Sequence, residues 1–322
     1  MPIYIDMLNK KLFITVLFVP AILSAQTTIF DFMNIDPSGR GGAMAGALVS
    51  MTDDPNLIFY NPACLGTITE NALSLSYMKD ILDINAGFAS YAQQIQGFGA
   101  VGVGVQYLDY GSFPRTDQNA NVLGSFGASD VAFSLGYSNM LDSNLYYGAN
   151  AKMIFSGIDT YHSTAVALDA GLLYVIPDKK MSFGISIQNA GTQLTEYIAT
   201  REPLPFDVRV GGTVQPKGLP LVLNLDFNHL TDEVTDFGDH FRAFEVGGEF
   251  LASKALRLRF GYDNEKRLDM NFNGSSGLAG ISLGLGIIVK NWRVDYGFSS
   301  WGAVGSLHRI TVSSLLNPSE SM

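Results

Sequence analysis

Cysteine is almost missing from this chain. Cys64 stands alone, so no intrachain disulfide can form. A nucleophilic thiol would need a histidine beside it. The four histidines, His162, His229, His240 and His308, are scattered and share no motif with it, so Cys64 reads as a buried, inert thiol. Charge is sparse, at 16% of residues, and its balance is −10, which argues against a nucleic-acid partner. Past the N-terminus no apolar run reaches the ~20 residues that a membrane-spanning helix needs. Helical periodicity is nearly absent after Asn71, although a soluble enzyme of 322 residues would show several such patterns.

Catalytic and cofactor motifs are lacking too. Gly102-x-Gly104 and Gly284-x-Gly286 lie inside alternating strands and open no helix, so they suit close approach of backbone better than a dinucleotide. Asp232, Glu233, Asp236 and Asp239 cluster in one loop, but their spacing fits no EF-hand and reads as a solvated loop. No serine carries a hydrolase motif. These absences lead to a non-enzymatic protein with no cofactor and no metal.

What is present is alternation with a period of two. Leu73, Leu75 and Tyr77 share one face and Ser74 and Ser76 the other. The same pattern recurs at Val101 to Tyr107, Val131 to Tyr137, Tyr147 to Phe155 and Val166 to Tyr174. The polar face carries small residues rather than many Lys and Glu. A soluble sandwich would wet that face, whereas a membrane barrel turns it inward and gives the apolar face to lipid. Strands are expected near 72–78, 84–94, 98–109, 129–139, 144–156, 163–176, 181–190, 206–215, 220–228, 241–251, 255–263, 278–289, 291–299 and 306–314. The fold expected is therefore all-β, a transmembrane antiparallel β-barrel of about fourteen strands. Connections after even strands are short, as at Pro177–Lys180 and Pro216–Leu219. Those at Tyr110–Ala128, Gly191–Pro205, His229–His240 and Asn264–Gly277 are long. Short periplasmic turns and long outer loops are the outer-membrane arrangement, so the chain is expected in the outer membrane of a Gram-negative bacterium, among its lipid.

The N-terminus reads as a signal peptide over 1–25, with Lys10 and Lys11 before the apolar stretch Leu12–Leu23 and small residues Ser24-Ala25 at its end. Residues 26–71 then form a hatch or plug, and 72–322 the barrel. The organising stretch is Ser38–Leu65, where glycines and alanines precede Asp53, Asp54 and Phe59-Tyr60-Asn61-Pro62-Ala63-Cys64-Leu65. The Gly/Ala run Gly41–Leu48 suits a short helix that packs closely on other backbone. Asn61-Pro62 is a turn signal. Alone, the stretch also fits an ordinary cap on a soluble β-domain; the alternation after it favours a plug inside a barrel.

Asp-Asp-Pro-x-x-x-Phe-Tyr-Asn-Pro-Ala-x-Leu after a Gly/Ala-rich segment resembles the N-terminal signature of the FadL-like outer-membrane barrels. The PorV/PorQ branch of that group is resembled further at Tyr107–Gly111, Gly124–Asp130, Asn189–Gln193 and Arg201–Phe206. This resemblance implies a plug motif carried by Arg40, Asp53, Asp54, Asn61 and Pro62. It implies a part in type IX protein secretion and surface attachment, with PorU-, PorV- and PorZ-like components and secreted cargo as partners. The alternative it carries is a FadL-like transporter of hydrophobic small molecules.

Period-two parity also assigns the lumen. Phe244, Val246 and Phe250 face outward on one strand, as do Leu256, Leu258 and Phe260 on the next. Glu245, Glu249, Arg257 and Arg259 then face inward, and a hairpin centred on Ser253 sets Glu249 opposite Arg257. Lys152, Asp169, Asp207, Arg209, Arg293 and Asp295 face the same interior. Mixed signs suit a plugged, internally paired lumen joined by Arg40, Asp53 and Asp54.

Overall fold

The computed structural model describes residues 28–79, 84–271 and 276–316. The expected signal peptide lies outside the described residues. Fourteen antiparallel strands close into one barrel. They are β1 (Asn71–Lys79), β2 (Asn85–Ile95), β3 (Gly99–Thr116), β4 (Val122–Asp142), β5 (Leu145–Ile158), β6 (Tyr161–Ile176), β7 (Met181–Thr195), β8 (Asp207–Val214), β9 (Leu221–Phe227), β10 (Phe244–Leu251), β11 (Leu256–Asp263), β12 (Ile281–Val289), β13 (Trp292–Ser300) and β14 (Ser306–Leu316). Each pairs with its sequence neighbours, and β1 pairs with β14 to leave no edge. Before β1 come a five-residue helix, α1 (Gly39–Ala43), and 3-10 turns at Pro55–Phe59 and Pro62–Thr67. A second short helix, α2 (Asn264–Asp269), begins the connection from β11 to β12.

The alternation inverts the usual inside and outside. Leu135 and Leu168 are 63% and 62% exposed, while Ser134, Asn150 and Lys152 beside them are at most 4% exposed. The same holds around the barrel, from Leu75 on β1 to Ile310 on β14. A belt of apolar side chains on this scale is tolerated only against lipid. No described helix is long and apolar enough to cross a membrane.

The long connections differ from the expectation. β3 and β4 continue past the rim and pair with each other from Ser112 to Thr116, leaving a loop of 117–121 where all of 110–128 was expected as loop. Residues above the lipid need no apolar alternation, so Gly, Ser and Asn there hide a ribbon. β7 likewise runs on to Thr195. Its pairing with β8 stops at Gln188–Asp207, and β8 pairs with β9 only from Val210 on. Beside β7 the wall is therefore continued by the irregular segment 196–206. Asn189, with φ of 57°, bulges there, and its Nδ2 donates to Pro205 O at 2.9 Å.

One register also differs. In the β10–β11 hairpin Glu249 stands opposite Arg259, and Arg257 opposite Leu251. The turn is centred one residue later than expected, which moves each partner by two. A shift of two preserves the face, so parity alone cannot detect it.

Candidate functional site

Residues 38–68 lie inside the barrel. Val49 N donates to Asp226 on β9, Ser182 on β7 donates to Ser50 O, Asn150 on β5 donates to Ile58 O, and Gly39 N donates to Thr311 on β14. A segment that touches opposite sectors of a closed wall occupies its lumen.

Local sequence explains its shape. Ser38 caps α1, its Oγ accepting from Gly41 N at 3.0 Å. The helix stops at Ala43 because Ala45 and Gly46 take φ of 57° and 91°, so it is shorter than the expected Gly41–Leu48. Glycines on both sides allow backbone contact with the wall: a Cβ on Gly39 would stand 2.8 Å from Asp295 O, and one on Gly297 of β13 2.4 Å from Gly39 O. Asx-Pro then appears twice with one purpose. Asp54 caps the 3-10 turn begun by Pro55, its Oδ1 accepting from Asn56 N at 3.0 Å. Asn61 caps the turn begun by Pro62, its Oδ1 accepting from Ala63 N at 3.0 Å. Proline at the first position loses only an N–H that a turn leaves unpaired anyway. Asn61 Nδ2 also donates to Val49 O (2.8 Å) and to Leu172 O on β6 (3.1 Å), which ties the segment to itself and to the wall.

Six side chains close a ring of alternating charge. Arg40 Nη1 and Arg293 Nη2 both donate to Asp54 Oδ2, at 3.2 and 2.5 Å. Arg293 Nε lies 2.8 Å from Asp295 Oδ2. Arg259 Nη1 donates to Asp295 Oδ1 (2.7 Å) and its Nε to Glu249 Oε2 (2.6 Å). Arg40 Nη2 donates to Glu249 Oε1 at 3.3 Å and completes the circuit. Three guanidinium groups balance three carboxylates, so the ring is neutral. Two members come from the lumenal segment and four from β10, β11 and β13. The Arg259–Asp295 bridge crosses β12 above Gly286, where a Cβ would stand 2.6 Å from Asp295 Oδ1 and 2.7 Å from Arg259 Nη2. Burial by itself raises the Asp54 carboxyl, but Arg293, Arg40 and the Asn56 N–H together hold it well below the usual range. Burial likewise works against the Arg40 charge, and Glu249 and Asp54 outweigh it.

Other expected residues fall elsewhere. Asp53, with φ of 59°, turns away from the ring towards the short-turn end of the lumen, is exposed, and is no member of the ring. Arg257 faces the interior near its short-turn end, but its Nη1 donates to the carbonyls of Ser253 and Leu256, and among the described residues it pairs with no carboxylate. Glu245 lies beside Gly46, and among the described residues its buried Oε2 has no hydrogen-bond donor. Lys152 forms a separate buried pair with Asp169 at 2.8 Å and donates to Asn189 Oδ1 at 2.7 Å. Asp207 pairs with Arg209 two residues along the same strand, at 2.5 Å. Pro62 packs its carbonyl against Gly148. Cys64 is fully buried with Sγ 3.6 Å from Val49 O, and burial pushes its thiol far up. Asp226 and Arg309 were not singled out from sequence, although parity places both inward. Asp226 Oδ2 accepts from Val49 N at 2.8 Å, and Arg309 Nε donates to Asp36 O at 2.9 Å. Among the described residues no His, Cys, Asp and Glu group has the geometry of a metal site.

The closed fourteen-strand barrel has the fold of the FadL-like outer-membrane barrels. No family model and no curated protein matches the sequence. Solved structures do. The chain is similar to the Ralstonia pickettii toluene transporter TbuX (TM-score 0.60, 13% identity, 90% of this chain and 100% of that one). It is similar to the Pseudomonas putida toluene transporter TodX (TM-score 0.57, 13% identity, 89% and 98%). A Pseudomonas aeruginosa FadL homologue aligns with TM-score 0.56 at 11% identity, over 86% of this chain and 98% of that one.

Proposed function

We propose that the protein is a non-enzymatic channel in the outer membrane of a Gram-negative bacterium, and that it passes hydrophobic compounds. The carrying observation is the interrupted wall beside β7. Residues 38–68 occupy much of the lumen, while the β7–β8 ladder ends at Gln188 and the wall above it is an irregular segment. Such a seam lets an apolar molecule leave sideways into lipid. The likeness to two toluene transporters over about nine-tenths of the chain supports the same reading. The lumenal segment acts as the hatch, and the neutral ion ring holds it. The test is uptake of labelled toluene and of a long-chain fatty acid by cells with and without the protein. Equal uptake of both overturns the proposal.

A second reading is supported by the two PorQ-like stretches, which pack on each other at this seam. Asn189 reaches Pro205, and Gln193 Oε1 accepts from Glu202 N at 2.7 Å. Under that reading the paired stretches form a face for PorU-, PorV- and PorZ-like partners of a type IX attachment complex. Loss of secreted cargo from the surface of a deletion strain, with normal uptake, selects it.

A further inference from the structure

The chain carries a net charge of −10, yet one rim of the barrel is basic. Four consecutive short turns each present lysine: Lys179 and Lys180 between β6 and β7, Lys217 between β8 and β9, Lys254 between β10 and β11, and Lys290 between β12 and β13. All five are exposed, and none makes an ion pair among the described residues. Asp178 is the single carboxylate in the same turns. Asp142 and Glu70 sit on the opposite sector, near β4 and β1.

One lysine of the arc, Lys180, stands at an opening. A cavity of about 450 Å³ lies at this end of the lumen, below the ion ring. Its walls include the apolar side chains of Met51, Val222, Leu251 and Ile288. Among the described residues, Lys180 and Arg257 line it as cations that pair with no carboxylate, against one acid, Asp53, in no ion pair. The Lys180 turn is pinned against β8 by Gln215 N donating to Lys180 O at 2.9 Å. An apolar recess rimmed by unpaired cations complements a chain that carries carboxylates and an occasional apolar side chain. A lipid headgroup would meet lysines all round the barrel. Here they are confined to one half, on the turns that flank the mouth lined by Lys180, which favours a ligand that approaches along the barrel axis.

We infer that this arc is a docking surface for an acidic peptide segment of a periplasmic protein, with an apolar residue of that segment seated in the mouth. The orientation of the short turns towards the periplasm rests on the reading proposed above; binding itself does not depend on transport.

The test uses the full protein, purified in non-ionic detergent, and a fluorescein-labelled octapeptide of six Glu and two Leu. Anisotropy is expected to show saturable binding that weakens at least about tenfold between 50 mM and 500 mM NaCl, since surface pairing is screened by salt. Changing Lys179, Lys180, Lys217, Lys254 and Lys290 together to Gln should abolish it. Changing Arg201 and Arg242, exposed at the opposite end, to Gln should leave it unchanged. A retained heat-modifiable band shows that each variant is folded. A five-fold variant that binds the peptide as well as the parent overturns the inference. So does a variant whose only defect is weaker binding to phosphatidylglycerol vesicles, because that assigns the arc to lipid. Lost peptide binding with unchanged toluene uptake supports the docking surface and leaves the channel reading standing. Failed uptake with intact peptide binding overturns the channel reading alone.

Discussion

Arg293 on the barrel wall and Asp54 in the lumenal segment meet at 2.5 Å, although 239 residues separate them in sequence. The contact joins a fully buried carboxylate to a guanidinium that also faces Asp295. Because Asp54 additionally caps the turn that follows it, one carboxylate both shapes the segment and fastens it. Removing one partner of a buried pair leaves an uncompensated charge and costs about 3–5 kcal/mol. Asp54→Asn should therefore destabilise the folded barrel by about that much, and Asp54→Asn with Arg293→Gln by less than the sum of the two. A double-mutant cycle on unfolding free energy measures this, with a coupling of about 0.5–3 kcal/mol expected for contacting residues.

Gly286 tests the ring from beneath. A side chain there meets both Asp295 Oδ1 and Arg259 Nη2 below 3 Å. Gly286→Val should separate the pair and lower stability by about 1–3 kcal/mol, the usual cost of overpacking. Gly87→Ala is the control, since a Cβ there meets nothing within 4 Å and its φ is unexceptional. Thermal unfolding followed by the heat-modifiable band separates the two.

The pH dependence has a definite sign. Asp54 is depressed in the folded state, so its contribution is complete above the unfolded value of ~3.9 and is lost as pH falls below it towards the folded value. Stability should decline below about pH 4, and Asp54→Asn should show a shallower decline over the same range. Parallel acid profiles for the two proteins would remove Asp54 from the account.

The lumenal segment sets an expectation for conductance. Intact protein in planar bilayers should show no large steady current, and deletion of residues 38–65 should open one. A wide, stable channel in the intact protein would contradict a closing role for the segment.

Asn61→Ala removes a cap and the two hydrogen bonds that Nδ2 donates to the carbonyls of Val49 and Leu172. Loss of the cap alone costs about 1 kcal/mol, and the two lost hydrogen bonds add about 0.5–1.5 kcal/mol each. Asn61→Asp keeps the cap acceptor but loses the donor, so it should recover only the smaller part. Denaturant midpoints of the three proteins give the comparison.

The sequence by itself determined the strands, their faces and the barrel class. Alternation such as Val131-Phe133-Leu135 against Ala132-Ser134-Gly136 leaves one arrangement in which the apolar face meets lipid, and short turns such as Pro177–Lys180 order the strands as a meander. It also marked Arg40, Asp54, Glu249, Arg259, Arg293 and Asp295 as interior charges. Tertiary structure alone decided how they pair. Parity repeats every two residues, so it could not tell Glu249 opposite Arg257 from Glu249 opposite Arg259, and the turn settled the register. Nor does a strand pattern show that Arg259 reaches over Gly286 to Asp295, or that Asp53 turns away from the ring while Asp54 joins it. Those depend on closing the barrel around a separate segment, because the ring draws members from residues 40 to 295. The ribbon above β3 and β4 escaped notice for the opposite reason: outside the lipid no burial constrains the side chains, so pairing there leaves no alternation to read.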